Sequence, residues 1–231
     1  MIEHRRIDEI GGTELDWLKA KHHFALGPYG NPAHKPVGNL YVWNDDEIAP
    51  RSGFPPHQHA DVEIVTYVRE GVITHTDSLG NKGYVHAGDV QVMSAGTGIR
   101  HSESNEGHAP TRLFQIWLSP VRSGGEPTWG TRPFPRSDRA GRFVLLASRA
   151  GREGSLPVGS DADVLGGMLP NGAETVYELA DDEAAYIVPA TGSIEINGEE
   201  LTPRDGAAIR GERFLRIKAL DDAEVVLVVT R

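Results

Sequence analysis

Short apolar runs rich in β-branched and aromatic residues recur along the chain: Leu40–Trp43, Val62–Val68, Val72–Thr76, Val90–Met93, Leu113–Leu118, Phe143–Ala147, Ala185–Pro189, Ser193–Ile196 and Val225–Val229. Runs this short are strand-length, and no longer 3.6-residue periodicity joins them into helices. Between them stand residues that tolerate positive φ, among them Glu70-Gly71, Ala87-Gly88-Asp89, Asn197-Gly198 and Arg204-Asp205-Gly206. Such punctuation turns one strand tightly back on the next. The pattern predicts an all-β fold of antiparallel strands with little helix, closed into barrels or sandwiches so that few edges stay exposed.

The chain has 231 residues, more than one minimal barrel needs and enough for two compact units. A Pro/Gly-rich stretch without periodicity, VRSGGEPTWGTRPFPRSDRAGR from Val121 to Arg142, reads as their connector. We place the boundary near Gly130, giving an N-terminal domain of residues 1–129 and a C-terminal domain of residues 130–231. The second half repeats the grammar of the first. Ala185–Pro189, Thr191-Gly192, Ser193–Gly198 and Asp205–Ile209 follow the order of Ile64–Val68, Glu70-Gly71, Val72–Thr76 and Gly88–Val90. A duplicated barrel is the expectation.

Composition narrows the chemistry. Hydrophobic residues at 39% and charged residues at 24% are ordinary for a folded globular protein. The net charge is −10 with no basic stripe, which argues against direct nucleic-acid binding. No apolar run approaches the roughly 20 residues of a membrane-crossing helix, and MIEHRRIDEIGG lacks the apolar segment of a leader, so a cytoplasmic location without membrane contact is expected. There is no cysteine, so a metal would have to be held by imidazole nitrogen and carboxylate oxygen.

Such donors cluster twice. In Gly53-Phe-Pro-Pro-His57-Gln-His59-Ala-Asp-Val-Glu63, strand alternation puts His57, His59, Asp61 and Glu63 on one face. After the glycine-rich turn Ser94–Arg100, the segment His101-Ser-Glu103-Ser-Asn105 repeats the device with one imidazole and one carboxylate. Two such strands facing each other would make a mononuclear site of three imidazole nitrogens and one carboxylate oxygen, suited to iron, manganese, cobalt, nickel, copper or zinc. The half from Val121 to Arg231 has no histidine, so no second metal site is expected there. His75, Asp77 and His86 are read as ordinary strand and turn polarity, and Trp43, Tyr67 and Trp117 as core packing.

The strings GFPPHQHADVEIVTYVREG (Gly53–Gly71), THTDSLGNKGYVHAGDVQVMSAGTGIRHSE (Thr74–Glu103) and FQIWLSP (Phe114–Pro120) resemble the two cupin motifs and, more specifically, those of the pirin family. The first motif, His-x-His-x3-Glu, is met by His57, His59 and Glu63. The second is met by His101 and Asn105 with three residues between them. The resemblance implies a bicupin of two tandem barrels, and His22-His23-Phe24 and the Pro28–Pro32 segment, similar to the pre-barrel segment of pirin-like proteins, are candidates to cover the pocket. It also implies one divalent metal, most often iron, held by His57, His59, His101 and Glu103 in the first barrel. Other cupins use the carboxylate at the position of Glu63, which leaves Glu63 as a ligand, a hydrogen-bond partner of a ligand, or a pocket wall; the partner role is preferred. Bacterial pirin-like proteins similar to this one act as quercetin 2,3-dioxygenases, opening a flavonol with dioxygen and releasing carbon monoxide. That chemistry implies a polyphenol and dioxygen as small-molecule partners and Glu103 as the base. The alternative implied by eukaryotic relatives is a non-catalytic metal- or redox-responsive module that binds a protein. Either would be a monomer or a weak homo-oligomer.

Overall fold

A computed structural model describes all 231 residues. The first half carries β1 (Ile2–Arg5), β2 (Gly12–Glu14), β3 (Leu18–His22), β4 (Leu40–Ile48), β5 (Ser52–His59) and β6 (Glu63–Glu70). It continues through β7 (Val72–Asp77), β8 (Lys82–His86), β9 (Val90–Ser94), β10 (Ile99–Asn105), β11 (Thr111–Leu118) and β12 (Thr128–Arg132). The second half carries β13 (Phe143–Arg149), β14 (Leu156–Val158), β15 (Ala162–Leu169), β16 (Glu174–Glu178) and β17 (Ala184–Thr191). It ends with β18 (Ile194–Ile196), β19 (Glu199–Leu201), β20 (Gly206–Arg210), β21 (Phe214–Ala219) and β22 (Ala223–Thr230). Two short 3-10 turns, Arg136–Arg139 and Arg152–Gly154, are the helical content. Each of the nine apolar runs overlaps a strand, and the fold is all-β with two cupin-like units.

Each unit pairs a seven-stranded sheet with a four-stranded one. In the first unit the large sheet runs β12-β9-β6-β11-β4-β3-β2 and the small one β5-β10-β7-β8. In the second the orders are β1-β20-β17-β22-β15-β13-β14 and β16-β21-β18-β19. The orders correspond from β12-β9-β6-β11-β4 to β1-β20-β17-β22-β15 and across both small sheets, so duplication holds there at the level of topology; they part at the far edge, where β2 and β3 pair antiparallel but β13 and β14 pair parallel.

The two large sheets pack back to back. Trp43, Val65, Tyr67, Phe114 and Ile116 of the first share a cluster of 22 buried residues with Val164, Tyr186, Val188, Val226 and Val228 of the second. Their central strands are therefore buried on both faces. That is why β6 and β22 read as near-continuous apolar runs rather than alternating ones. The result is four layers, with a small sheet on each outside.

The edges are exchanged. β1 pairs with β20 of the second unit, Ile2 opposite Ile209 and Arg5 opposite Gly206, while β12 pairs with β9 of the first, Trp129 opposite Met93. A division at residues 129 and 130 thus falls inside a strand of the first unit, and the first strand of the chain belongs to the second. The connector is not a free linker: it contributes that edge strand and the buried Arg139.

Candidate metal centre and cavity

The donors come together where β5 meets β10. His101 lies opposite His57 and Ile99 opposite His59, with a bulge between His101 and Glu103. The coordinating atoms of His57, His59 and His101 all lie within 4.8 Å of one another, and their rings are 4.4–5.1 Å apart between centroids. His57 donates Nδ1–H to the Pro55 carbonyl at 2.8 Å, which leaves the Nε2 lone pair free. Burial, together with the neighbouring His57, pushes His59 down to about 4. Burial and the surrounding imidazoles push His101 down to about 3, so both are neutral donors at pH 7.

His101 is buried, and neither of its ring nitrogens has a hydrogen-bond partner. A buried, orphaned imidazole between two others costs free energy in a metal-free protein. Three imidazoles this close, the buried His101 among them without any partner, are the donor set a borderline divalent metal takes; the site fits the group.

Glu103 approaches from the other side of His101, forming a second group with His101 and His75. Its carboxyl is buried and clamped: Gln91 donates Nε2–H to Oε1 at 2.5 Å and Gln115 donates to Oε2 at 2.7 Å. Each glutamine is itself oriented by an indole. Trp129 Nε1–H donates to Gln91 Oε1 at 3.0 Å, and Trp117 Nε1–H to Gln115 Oε1 at 3.1 Å. Burial pushes Glu103 up to about 7, against the lowering effect of the hydrogen bonds from Gln115, Gln91 and Thr66.

Three residues stand differently from the reading of the sequence. Glu63 does not point toward the imidazoles; it accepts from Ser94 Oγ at 2.5 Å and from the Gly159 amide of the second unit at 2.9 Å. The reason is local: Asp61 has φ +52°, which breaks the alternation carried from His57 and His59. His75, read as ordinary strand and turn polarity, is instead part of the buried centre. Lying opposite Glu103 on β7, it is fully buried, stacked on Trp129 with centroids 4.8 Å apart, and bonded through Nε2 to Asp77 at 3.0 Å. Gly83 makes this stack fit, since a Cβ there would run into the Trp129 indole. Trp117 is only half-buried and meets His59 edge-on at 5.0 Å. His86 is exposed, and Trp43 and Tyr67 are core, as read. Asn105 ties the turn after β10, donating to Ile48, Ala49 and Ala109 carbonyls.

A cavity of about 360 Å³ opens over this centre. Trp17, Phe54, Trp117, Leu15, Leu26 and Tyr29 give it apolar walls, while His57, His59, Glu103 and Gln115 supply its polar wall. His22 and Phe24 also line it, so the segment read as a pocket cover does reach the pocket. The Gln–Trp clamp has no local sequence signature, because its four members lie on three strands brought together only by pairing.

Residues 4–118 match the Pirin family and residues 145–228 the quercetinase C-terminal cupin domain. A pirin-like protein of Caulobacter vibrioides is 55% identical over 229 residues, covering 99% of each chain. The quercetin 2,3-dioxygenase of Escherichia coli is 39% identical over 228 residues, covering 98% of this chain and 97% of that one. The crystal structure of the bacterial pirin YhhW of Escherichia coli in complex with nickel(II) matches at a TM-score of 0.94 and 38% identity, covering 100% of this chain and 99% of that one. Motif strings, two-barrel topology and a three-imidazole cluster beside a buried carboxyl agree with these likenesses, and the chain belongs to the pirin family.

Proposed function

We propose that the protein is a metal-dependent dioxygenase that opens the ring of a flavonol or related polyphenol with dioxygen and releases carbon monoxide. The observation that carries the reading is an apolar, aromatic-walled cavity of about 360 Å³ whose polar wall carries His57 and His59, with His101 buried directly behind them, and one clamped carboxyl. Its volume falls in the range of small-molecule sites, and a few polar groups on an otherwise apolar surface suit a flat, sparsely polar substrate.

His57, His59, His101 and Glu103 would hold the metal, iron first among the first-row divalent ions. When bound, it would supply the Lewis acidity that makes the flavonol 3-hydroxyl easier to ionise. The chain's own residues do the rest. Glu103 accepts the 3-hydroxyl proton, and the amides of Gln91 and Gln115 hold its carboxyl in place for that transfer. Trp117, edge-on to His59, flanks the substrate ring and keeps water from that side.

The test is metal analysis of the purified protein, followed by incubation with quercetin under air while its visible absorbance is recorded. Bleaching that depends on the metal, with carbon monoxide in the headspace, is the expected result. Absence of bleaching after reconstitution with each first-row divalent metal in turn would overturn the dioxygenase reading.

A further inference from the structure

The inner face of the first large sheet carries a polar row that the proposed chemistry uses only in part. Gln91, Thr66, Gln115, Asn44 and His22 sit directly opposite one another on β9, β6, β11, β4 and β3. The first three members support Glu103. The last two continue along the cavity wall for two further inter-strand steps, roughly 10 Å from Gln115.

At that end the geometry is prepared for a ligand. His22 donates Nδ1–H to Asn44 Oδ1 at 2.9 Å and takes the Thr13 hydroxyl at Nε2, also at 2.9 Å. This fixes the Asn44 amide with its oxygen occupied and its NH2 left to donate elsewhere. Two residues along β4, on the same inward face, Asp46 lines the cavity with 1% of its surface exposed. Neither of its carboxyl oxygens has a partner in the protein. Burial, with Asp45 and Glu103 nearby, holds the Asp46 carboxyl well above the usual range. A buried carboxyl left without any hydrogen bond weakens the fold unless something else pairs with it.

We infer that Asn44 and Asp46, on the inward face of β4, form a hydroxyl-binding subsite that orients a polyhydroxylated aromatic molecule beside the imidazole cluster. The inference rests on the polyphenol reading of the cavity and adds what selects among polyphenols. Asn44 donates to a ring hydroxyl and Asp46 pairs with the same or the neighbouring one. A molecule lacking ring hydroxyls away from the reacting one leaves both side chains unpaired and is discriminated against.

The experiment compares quercetin with 3-hydroxyflavone, which keeps the reacting hydroxyl and lacks the others. Two readouts are taken on wild type, Asp46→Leu and Asn44→Ala: relative kcat/KM in the metal-loaded protein, and relative Kd in the metal-free protein from quenching of tryptophan fluorescence. In wild type quercetin should be favoured in both, and in each variant the preference should shrink by about tenfold, the worth of one well-made hydrogen bond. Asp46→Leu should also melt at or above the wild-type temperature, because an unpartnered buried carboxyl is removed; a purely structural Asp46 would lower the melting temperature and leave the preference alone. Preference ratios that stay at the wild-type value in both variants would overturn the subsite. If wild type turns over neither flavonol, the dioxygenase reading fails by itself, and the metal-free binding ratios still decide the subsite.

Discussion

Replacing Glu224 by glutamine should cost this protein roughly 3–5 kcal/mol of stability, the usual consequence of removing one partner from a buried ion pair. Glu224 stands on β22 of the second unit with 3% of its surface exposed. Its carboxyl accepts from the Tyr67 hydroxyl of β6 in the first unit, and from Arg136 Nε at 3.0 Å and Nη2 at 3.1 Å. Arg139 Nη2 is 3.5 Å away and its guanidinium is fully buried. Glutamine keeps the shape, so no cavity forms, and the change isolates the charge. Arg139 would then keep only neutral acceptors, Tyr67 Oη at 2.7 Å and the Gly88 carbonyl at 3.3 Å. The Arg136 side chain is 40% exposed, so its share should be at most about 1 kcal/mol.

For a chain of this length the loss corresponds to a fall in melting temperature of roughly 6–20 °C. Urea denaturation of wild type, Glu224→Gln, Arg139→Met and the double variant measures it, with an unchanged m-value showing that the native and denatured states are otherwise comparable. The double variant should be markedly more stable than the sum of the single losses implies, because it leaves no orphaned charge. A single-variant loss below about 1 kcal/mol, or strict additivity, would refute the reasoning.

Other expectations are more direct. His57→Ala should abolish metal binding by elemental analysis, whereas His75→Ala should keep the metal but lose roughly 3 kcal/mol in a denaturant melt, since a buried ring stacked on Trp129 is deleted. Metal loss in His75→Ala would instead make His75 a ligand. Glu103→Gln should lower flavonol turnover at least about 100-fold if the carboxyl is the base; full turnover would remove that role. Asp205 would be raised by burial, but hydrogen bonds from the Ile7 amide, His4 and Thr202 outweigh this and hold it below the usual range. A carboxyl depressed in the folded state stabilises above its unfolded pKa and loses that contribution as pH falls through its folded pKa. The stability gap between wild type and Asp205→Asn should therefore be full near neutrality and close below about pH 4. A gap that persists unchanged at pH 2–3 would contradict the assignment.

Much of the centre was legible because its members recur at spacing two on short strands: His57 with His59, His101 with Glu103. Period two puts Glu63 on the face of His57 and His59, but the left-handed φ of Asp61 turns it to the other. The place of His75 comes from lying opposite Glu103 across β7 and β10, a pairing no local pattern announces. Trp129 stood in a segment whose prolines and glycines read as linker, yet its indole stacks on His75 and orients Gln91. Trp117, read as core from its apolar run, lies on a strand whose opposite face meets the cavity. Sequence periodicity reports which face a residue shares with its neighbours, and only strand pairing reports what that face looks onto.

The exchanged edge strands bear on how the chain can be made and divided. During synthesis β1 emerges first but has no partner until β20 follows some two hundred residues later, so the N-terminal unit can close around its centre while its leading segment waits. Cleavage near Gly130 would leave β1 on the fragment that lacks β20 and cut β12 through its middle, opening the hydrogen-bonding row of β20 and part of that of β9. Such rows invite pairing with a second molecule. Separated halves should thus reassociate with each other, or swap edges between copies, sooner than persist as independent barrels.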